Sequence, residues 1–195
     1  MSARSLPHPR VGISACLLGH NVRYDGGHKL DRRVALPLGR LFEWVAVCPE
    51  VELGLGVPRE TLRLEGDPRR PRLVFERARR DITSRMRAWS RRRLDRPDLL
   101  DLCGYILKSR SPTCGLRSVP VHLLGRPGAT PARGGSGVFA RALRTRFPGL
   151  PVEEEDALHD RARCLRFVRR VLAYRRRLDR LADGAPRARA SGARA

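Results

Sequence analysis

The sequence lacks an apolar run long enough to cross a membrane, since no stretch approaches the roughly 20 residues that a spanning helix needs. Its first ten residues, MSARSLPHPR, also lack the apolar core of a signal peptide. These two absences predict a cytoplasmic protein with no membrane partner. Aromatic residues are scarce as well, at 5% of the chain, so few side chains are available to stack on bases.

Lysine is almost absent, because Lys29 and Lys108 are the only two. Lys and Arg together number 41 against 20 acidic residues, which gives a formal charge of +21 that comes almost entirely from arginine. A basic surface attracts nucleic acid and other anions. The arginines are spread through the whole chain, however, which is typical of a compositional bias. Nucleic acid therefore stays an alternative partner that the composition does not favour.

The five cysteines include no CxxC pair, and their spacings are wide. A structural zinc site normally takes four ligands, often in such pairs. A disulfide framework is not expected for an odd number of cysteines in a reducing compartment. The cysteines are therefore predicted to be free thiols or metal ligands.

The 195 residues are enough for one domain with one core. Residues 11–16 and 45–47 read as strands, and helical spacing of apolar residues over 31–44 places a helix between them, which makes a βαβ unit. Residues 104–107 predict a third strand, and 156–181 a long final helix with an apolar stripe. The predicted fold is α/β: a single Rossmann-like domain whose mostly parallel sheet is flanked by helices.

The remaining segments are less regular. Residues 61–65 and 73–76 flank a turn and predict a hairpin, residues 81–102 predict a helix that Pro97 breaks, and residues 125–137 read as a glycine- and proline-rich loop. We expect a flexible N-terminus over 1–10, the domain over 11–183 and a disordered basic tail over 184–195.

Cys16, Cys48 and Cys114 each lie at, or in the loop just after, the carboxyl end of a predicted strand. In an open α/β sheet these ends share one edge, where ligands bind. Three thiolates close together would repel one another unless a cation held them, so the pattern predicts a metal or cluster. Zinc and iron-sulfur both fit soft sulfur ligands, and three ligands leave an open coordination position.

Five segments carry a resemblance to a known family. They are SACLLG with RYDGGHK, VCPEVELGLGVPR, the DIT helix start, LKSRSPTCG, and GVFA with LPVEEE. In this order they resemble a bacterial domain family, long of unknown function, that includes the 2-thiouracil desulfidases. The resemblance covers about residues 11–172.

The resemblance implies a 4Fe-4S cluster held by Cys16, Cys48 and Cys114. Zinc stays the alternative cofactor that sulfur ligands alone leave open. It also implies that Glu50 and Ser111 lie near the open iron as catalytic residues. The implied function is hydrolytic removal of sulfur from a thiolated pyrimidine such as 2-thiouracil. The thiocarbonyl sulfur would bind the open iron and leave as hydrosulfide, so the expected partner is a small thiolated base.

One departure from the family pattern stands at Thr113, where serine is expected more often. The sequence also leaves rival roles open: Glu50 could cap the turn after Pro49, and Arg59 reads as a surface residue. His28 could contact the substrate or lie in solvent, as could other residues of the loop around Asp25. Cys103 and Cys164 are expected in the core.

Two rival functions also stay open. One is a non-catalytic zinc- or cluster-binding protein, and the other a sulfur-handling enzyme that acts on thiolated nucleosides in RNA. The sequence predicts neither the physiological substrate nor the oligomeric state.

Overall fold

A computed structural model describes residues 8–117, 119–123 and 130–183. The strands are β1 (Arg10–Ser14), β2 (Glu43–Val47), β3 (Leu62–Glu65), β4 (Arg72–Phe75), β5 (Gly104–Leu107), β6 (Val119–His122), β7 (Ala132–Gly135) and β8 (Val152–Glu154). The helices are α1 (Arg32–Leu38), α2 (Pro49–Glu52), α3 (Thr83–Leu94), α4 (Pro97–Leu100), α5 (Val138–Arg146) and α6 (Arg161–Asp183). Most of the N-terminal segment expected to be flexible, and the whole expected tail, lie outside the described residues.

Four parallel strands form the sheet that positions the site, in the order β2-β1-β5-β8. The chain leaves β1 through α1 to β2 on one side and later returns to β5 on the other side of β1. Such a reversal opens a crevice at the carboxyl ends of the central strands. The predicted α/β class and the mostly parallel sheet flanked by helices are confirmed.

A second, mixed sheet has the order β4-β3-β6-β7, and the predicted hairpin of residues 61–65 and 73–76 forms its β3 and β4. The prediction of a loop over 125–137 is wrong for residues 132–135, which form β7 and pair with β6. A Cβ on Gly135 would lie 2.6 Å from the carbonyl oxygen of Val119 on the neighbouring strand. Gly135 therefore marks a close approach between two strands, although a glycine-rich segment is typical of a loop.

Apolar layers cover both faces of the parallel sheet. Helices α1 and α6 cover one face, where the buried residues include Val11, Ile13, Val34, Ile106, Phe167 and Val171. Helices α3 and α5 lie over the other face, where the buried residues include Val47, Leu94, Tyr105, Leu107, Phe139 and Leu143. The core is thus built on both sides of the strands and leaves their carboxyl ends open for the loops.

The long final helix differs from its prediction at its start. Residues Asp156–His159 form a 3-10 turn, and α6 begins only at Arg161. Asp160 separates the two because its backbone is extended and its carboxylate accepts a hydrogen bond from the Arg163 N–H. The buried side chains of α6 are Phe167 and Val171, whereas Leu165 on the same helix is 48% exposed.

Two other helix features agree with the sequence. Asp81 accepts hydrogen bonds from the Thr83 N–H and hydroxyl as α3 begins, and Pro97 starts a separate short helix instead of continuing α3. Among the described helices, none is both long and apolar enough to span a membrane.

Phe167→Ala should lower the free energy of unfolding by about 3–5 kcal/mol, because the side chain is 1% exposed and fills the space between α6 and the sheet. Leu165→Ala on the same helix should cost only about 0.5 kcal/mol, since it is half exposed. Urea unfolding followed by circular dichroism measures both values. Equal losses in the two variants would contradict this placement of α6.

Candidate active site

A cavity of about 510 Å³ lies at the carboxyl ends of the parallel strands. Each of the four strands contributes lining residues from its end or from the loop that follows. These residues include Ser14, Cys16, Cys48, Glu50, Lys108, Ser111, Thr113, Cys114 and Glu155. The structure therefore brings all five sequence-predicted site residues to the wall of one cavity.

Cys16 lies in a 3-10 turn, Ala15–Leu18, directly after β1. Its carbonyl oxygen accepts hydrogen bonds from the Gly19 N–H at 3.3 Å and the Lys29 N–H at 2.9 Å. These bonds hold the loop between residues 19 and 29 close to the cavity. Arg23, Tyr24 and Lys29 of this loop line the wall beside Cys16.

Cys48 follows β2 directly and precedes the first turn of α2. Its N–H donates to the carboxylate of Glu52 at 3.1 Å, and its thiol contacts the carbonyl oxygen of Val22 at 3.7 Å. The proline at the next position starts the helical turn, as proline does at a first helical position. This turn sets Glu50 on the cavity wall two residues from the thiol.

Cys114 lies in the turn after β5 and is 6% exposed. Its N–H donates to the Ser111 hydroxyl oxygen at 3.1 Å, and the Gly115 N–H donates to the Ser111 carbonyl oxygen at 2.8 Å. Gly137 abuts this turn, because a Cβ there would lie 2.4 Å from the carbonyl oxygen of Thr113. The start of α5 therefore holds the turn in place.

The three thiols are poorly solvated and influence one another. Burial raises the pKa of Cys16 to about 11, with a further contribution from Cys48. The pKa values of Cys48 and Cys114 are likewise raised, first of all by burial. A positively charged group is needed to convert such thiols to thiolates near neutral pH.

The three thiols do not by themselves form a site for a single metal ion in the described part of the chain. Among the residues that the structure describes, no three His, Cys, Asp or Glu side chains come close enough to hold one metal ion. A zinc ion binds sulfur at about 2.3 Å, so its thiolates lie roughly 3.8 Å apart. Three sulfur donors that line one cavity without converging on one ion are compatible with an iron-sulfur cluster, whose irons bind separate thiolates.

Glu50 is held by two side chains. Its Oε2 accepts from the Arg59 guanidinium, with Nη2 at 2.6 Å and Nε at 2.8 Å, and its Oε1 accepts from the Thr113 hydroxyl at 2.6 Å. Both contacts are to side chains, so they do not support the alternative in which Glu50 caps the turn after Pro49. The carboxylate instead has a counter-charge on one oxygen and a hydroxyl donor on the other.

The interpretation of Arg59 as a surface residue is wrong, because its side chain is only 5% exposed. Besides Glu50, its guanidinium donates to the carbonyl oxygens of Val22 and Gly56, each at 2.9 Å. Arg59 thus connects two segments: the turn that contains Glu50 and the loop that follows Cys16. The sequence did not indicate this role, because nothing in it distinguishes a buried arginine from the many exposed ones.

A further charged cluster beside Cys16 was not predicted. Lys108 Nζ donates to Glu155 Oε1 at 2.5 Å, and the Ser109 N–H donates to Glu155 Oε2 at 2.6 Å. These residues end β5 and β8, whose carboxyl ends are neighbours in the sheet. The sequence offered one sign of this cluster: Lys108 and Ser109 lie in the motif LKSRSPTCG, and Glu155 ends the motif LPVEEE.

Other sequence expectations have clear outcomes. His28 does not line the cavity, and its Nδ1 accepts from the Leu30 N–H at 3.1 Å. Cys103 is fully buried in the core, and Cys164 is partly buried against the same apolar cluster, as expected. Asp25 forms a turn through the Gly27 N–H and pairs with Arg23.

The chain is similar to a known protein family and to a solved structure. The family model described as 2-thiouracil desulfurase matches residues 11–155. A solved structure described as the [4Fe-4S]-dependent thiouracil desulfidase TudS shares 30% sequence identity with this chain and superposes with a TM-score of 0.61. The match covers 80% of this chain and 97% of that one. A search of curated proteins found no match.

The chain is therefore a member of the 2-thiouracil desulfurase family. This result confirms the resemblance drawn from the cysteine motifs.

In metal-free protein, Cys16 should react slowly with iodoacetamide. A pKa of about 11 leaves it mostly protonated at pH 8. Against a free thiol with a pKa near 8.5, its thiolate fraction is roughly 200-fold smaller at that pH. The fraction rises about tenfold per pH unit below 11, so labelling should accelerate steadily with pH.

Peptide mapping by mass spectrometry between pH 7 and 10 follows this reaction, and the same peptide in urea-unfolded protein is the control. Labelling of folded Cys16 as fast as in the unfolded control would contradict the poor solvation of this thiol.

Proposed function

We propose that this protein is an iron-sulfur-dependent desulfidase that removes sulfur from a thiolated pyrimidine such as 2-thiouracil. One observation carries the proposal: three thiols from three strand ends line one cavity together with Glu50 and Ser111. Membership of the 2-thiouracil desulfurase family and the likeness to TudS support it. The cavity volume of about 510 Å³ falls within the usual range for small-molecule sites.

Cys16, Cys48 and Cys114 are the residues that would hold a 4Fe-4S cluster. When bound, such a cluster supplies an iron with an open coordination position, which acts as a Lewis acid toward a thiocarbonyl sulfur. The cationic side chains that line the cavity are Arg23, Lys29, Arg59, Lys108 and Arg110. They favour the thiolate state of the cysteines and lower the cost of anionic charge inside the cavity.

The protein's own groups then serve the attack of water on the ring carbon. Glu50 lines the cavity, and Arg59 and Thr113 hold its carboxylate in one orientation, so it is placed to receive the proton that the attacking water loses. Ser111 lies on the same wall and offers a hydroxyl that binds the substrate or the water. The net reaction exchanges the thiocarbonyl sulfur for the oxygen of water, and the sulfur leaves as hydrosulfide.

Anaerobic reconstitution with iron and sulfide tests the proposal. We expect about four irons and four sulfides per chain, and release of hydrosulfide from 2-thiouracil or 4-thiouracil with one uracil formed per hydrosulfide. A cluster without hydrosulfide release, or zinc in the same site, would instead indicate the non-catalytic metal-binding alternative.

Replacement of Cys16, Cys48 or Cys114 by alanine should abolish stable cluster binding, because each removes one of three thiolate ligands. The matched control is Cys164→Ala, which removes a thiol that does not line the cavity. Iron and sulfide analysis with visible absorbance after identical reconstitution measures the outcome. Full cluster content in all three site variants would rule out this ligand set.

Glu50→Gln should retain the cluster and lower kcat by about 10²–10⁴-fold, since the proton acceptor is lost. Glu43→Gln, on the exposed end of β2, is the control and should keep its activity. Because Gln leaves Arg59 without its counter-charge, Glu50→Asp provides a second variant that keeps the charge but shortens the side chain. Undiminished turnover in both Glu50 variants would remove Glu50 from the mechanism.

A further inference from the structure

We propose that a cavity between α3 and α5 is a second binding site, which takes a small organic anion. The cavity has a volume of about 480 Å³, within the usual range for small-molecule sites. Among the described residues, it shares no lining residue with the cavity that the three cysteines line. The inference is therefore independent of the proposed function.

Part of the wall of this second cavity is apolar. Leu94 of α3 and Val138 of α5 line it and are 1% and 6% exposed. Ala142 follows Val138 by four positions, so the two lie on the same face of α5. Pro71, directly before β4, is buried and lines the same wall. An apolar ligand body that covers these side chains removes them from water, which favours binding.

The second cavity is also strongly basic, because four arginines line it: Arg87, Arg91, Arg141 and Arg146. Among the described residues, its lining contains a single carboxylate, that of Asp95, which accepts from Arg146 at 2.8 Å. Arg141 donates to the carbonyl oxygen of Arg69 at 2.6 Å and so keeps its charge without an acidic partner there. The excess of positive charge favours an anionic ligand.

Arg87 and Arg91 are the arginines best placed to bind the charged group of a ligand. They are four positions apart on α3, so they lie on one face of the helix. Neither makes a hydrogen bond or an ion pair with another described residue, and the Asp81 carboxylate beside Arg87 instead accepts from Thr83. A guanidinium can form two parallel hydrogen bonds to a phosphate or carboxylate.

Ser136 adds a hydroxyl to the wall. Its Oγ is buried and has no hydrogen-bond partner among the described residues. Buried polar atoms without a partner are rare and destabilising. Rotation about the Cα–Cβ bond moves a serine hydroxyl between staggered positions, so a bond to a ligand would break no existing hydrogen bond of this side chain.

The ligand that fits these groups has one phosphate or carboxylate head and an apolar or ring-shaped body. The basic segment 184–195 of the chain itself does not fit, because it has three arginines and no acidic residue. RNA fits less well than a small molecule. Its phosphates need exposed arginines but no buried apolar wall, and the cavity lining offers no aromatic side chain on which a base could stack.

Calorimetric titration of the anaerobically reconstituted full chain tests the site with three probes. Adenosine 5′-monophosphate supplies a phosphate head, and decanoate supplies a carboxylate head. Comparison of the two shows which head the cavity prefers. Adenosine has the same ring body as the nucleotide but no charge, so it should bind at least about tenfold more weakly than the nucleotide.

Two variants locate the binding. Replacement of both Arg87 and Arg91 by Gln removes two charged donors and should weaken binding of the preferred anion at least about tenfold. Ala142→Met fills part of the cavity without a change of charge and should weaken binding as well. The matched control replaces Arg176 and Arg180 by Gln, since these exposed arginines are also four positions apart but lie on α6, outside the cavity. The control should bind like the unmodified protein.

Unchanged binding in both cavity variants would overturn the site, and so would an equal loss in the α6 control. The absence of binding of either anion with a dissociation constant below about 1 mM would also overturn it. RNA that binds through Arg87 and Arg91 while neither anion binds would do the same. If Ala142→Met does not fold, the two arginine pairs decide the question. Hydrosulfide release is measured separately, so failure of the proposed function leaves the binding result unaffected.

Discussion

The placement of three poorly solvated thiols around one cavity is the constraint on which the other features of the site depend. Thiols placed away from water hold their protons, and their pKa values are raised accordingly. They become metal ligands only where positive charge compensates for the thiolates. The cationic lining of the cavity is therefore part of the same arrangement as the cysteines. A parallel sheet makes this possible because its carboxyl ends bring distant segments of the chain to one edge.

The ion pair between Arg59 and Glu50 provides the second constraint. A carboxylate next to thiolates is repelled by their negative charge. The guanidinium offsets this repulsion, and it also ties the turn after β2 to the loop after β1. Thr113 completes this arrangement from the third strand end, so that groups from three segments hold one carboxylate in a single orientation.

Features set by local sequence could be predicted. The strand exits at Cys16 and Cys48 follow from short apolar runs that end in turn residues, and the break at Pro97 follows from its missing N–H. The convergence of the cysteines then follows from the rule for parallel sheets. Features that depend on long-range contacts could not be predicted. Thr113 and Glu50 are 63 positions apart in the chain, and Lys108 and Glu155 are 47 apart.

Glycine and arginine explain the remaining errors. Gly135 lies in a strand because the neighbouring strand leaves no room for a side chain, yet glycine in sequence is typical of a loop. Arg59 is buried in a chain with many exposed arginines, so the composition did not indicate its burial. In both cases the packing of a neighbouring segment decides the role, and a single sequence does not contain that information.

A crystal structure of the anaerobically reconstituted protein, with data collected at the iron absorption edge, tests the central claim most directly. The account predicts anomalous peaks for a four-iron cluster bonded to the sulfurs of Cys16, Cys48 and Cys114. The fourth iron should face the cavity wall formed by Glu50 and Ser111, with no protein ligand. A cluster bound elsewhere, or a single ion between the three sulfurs, would contradict the account.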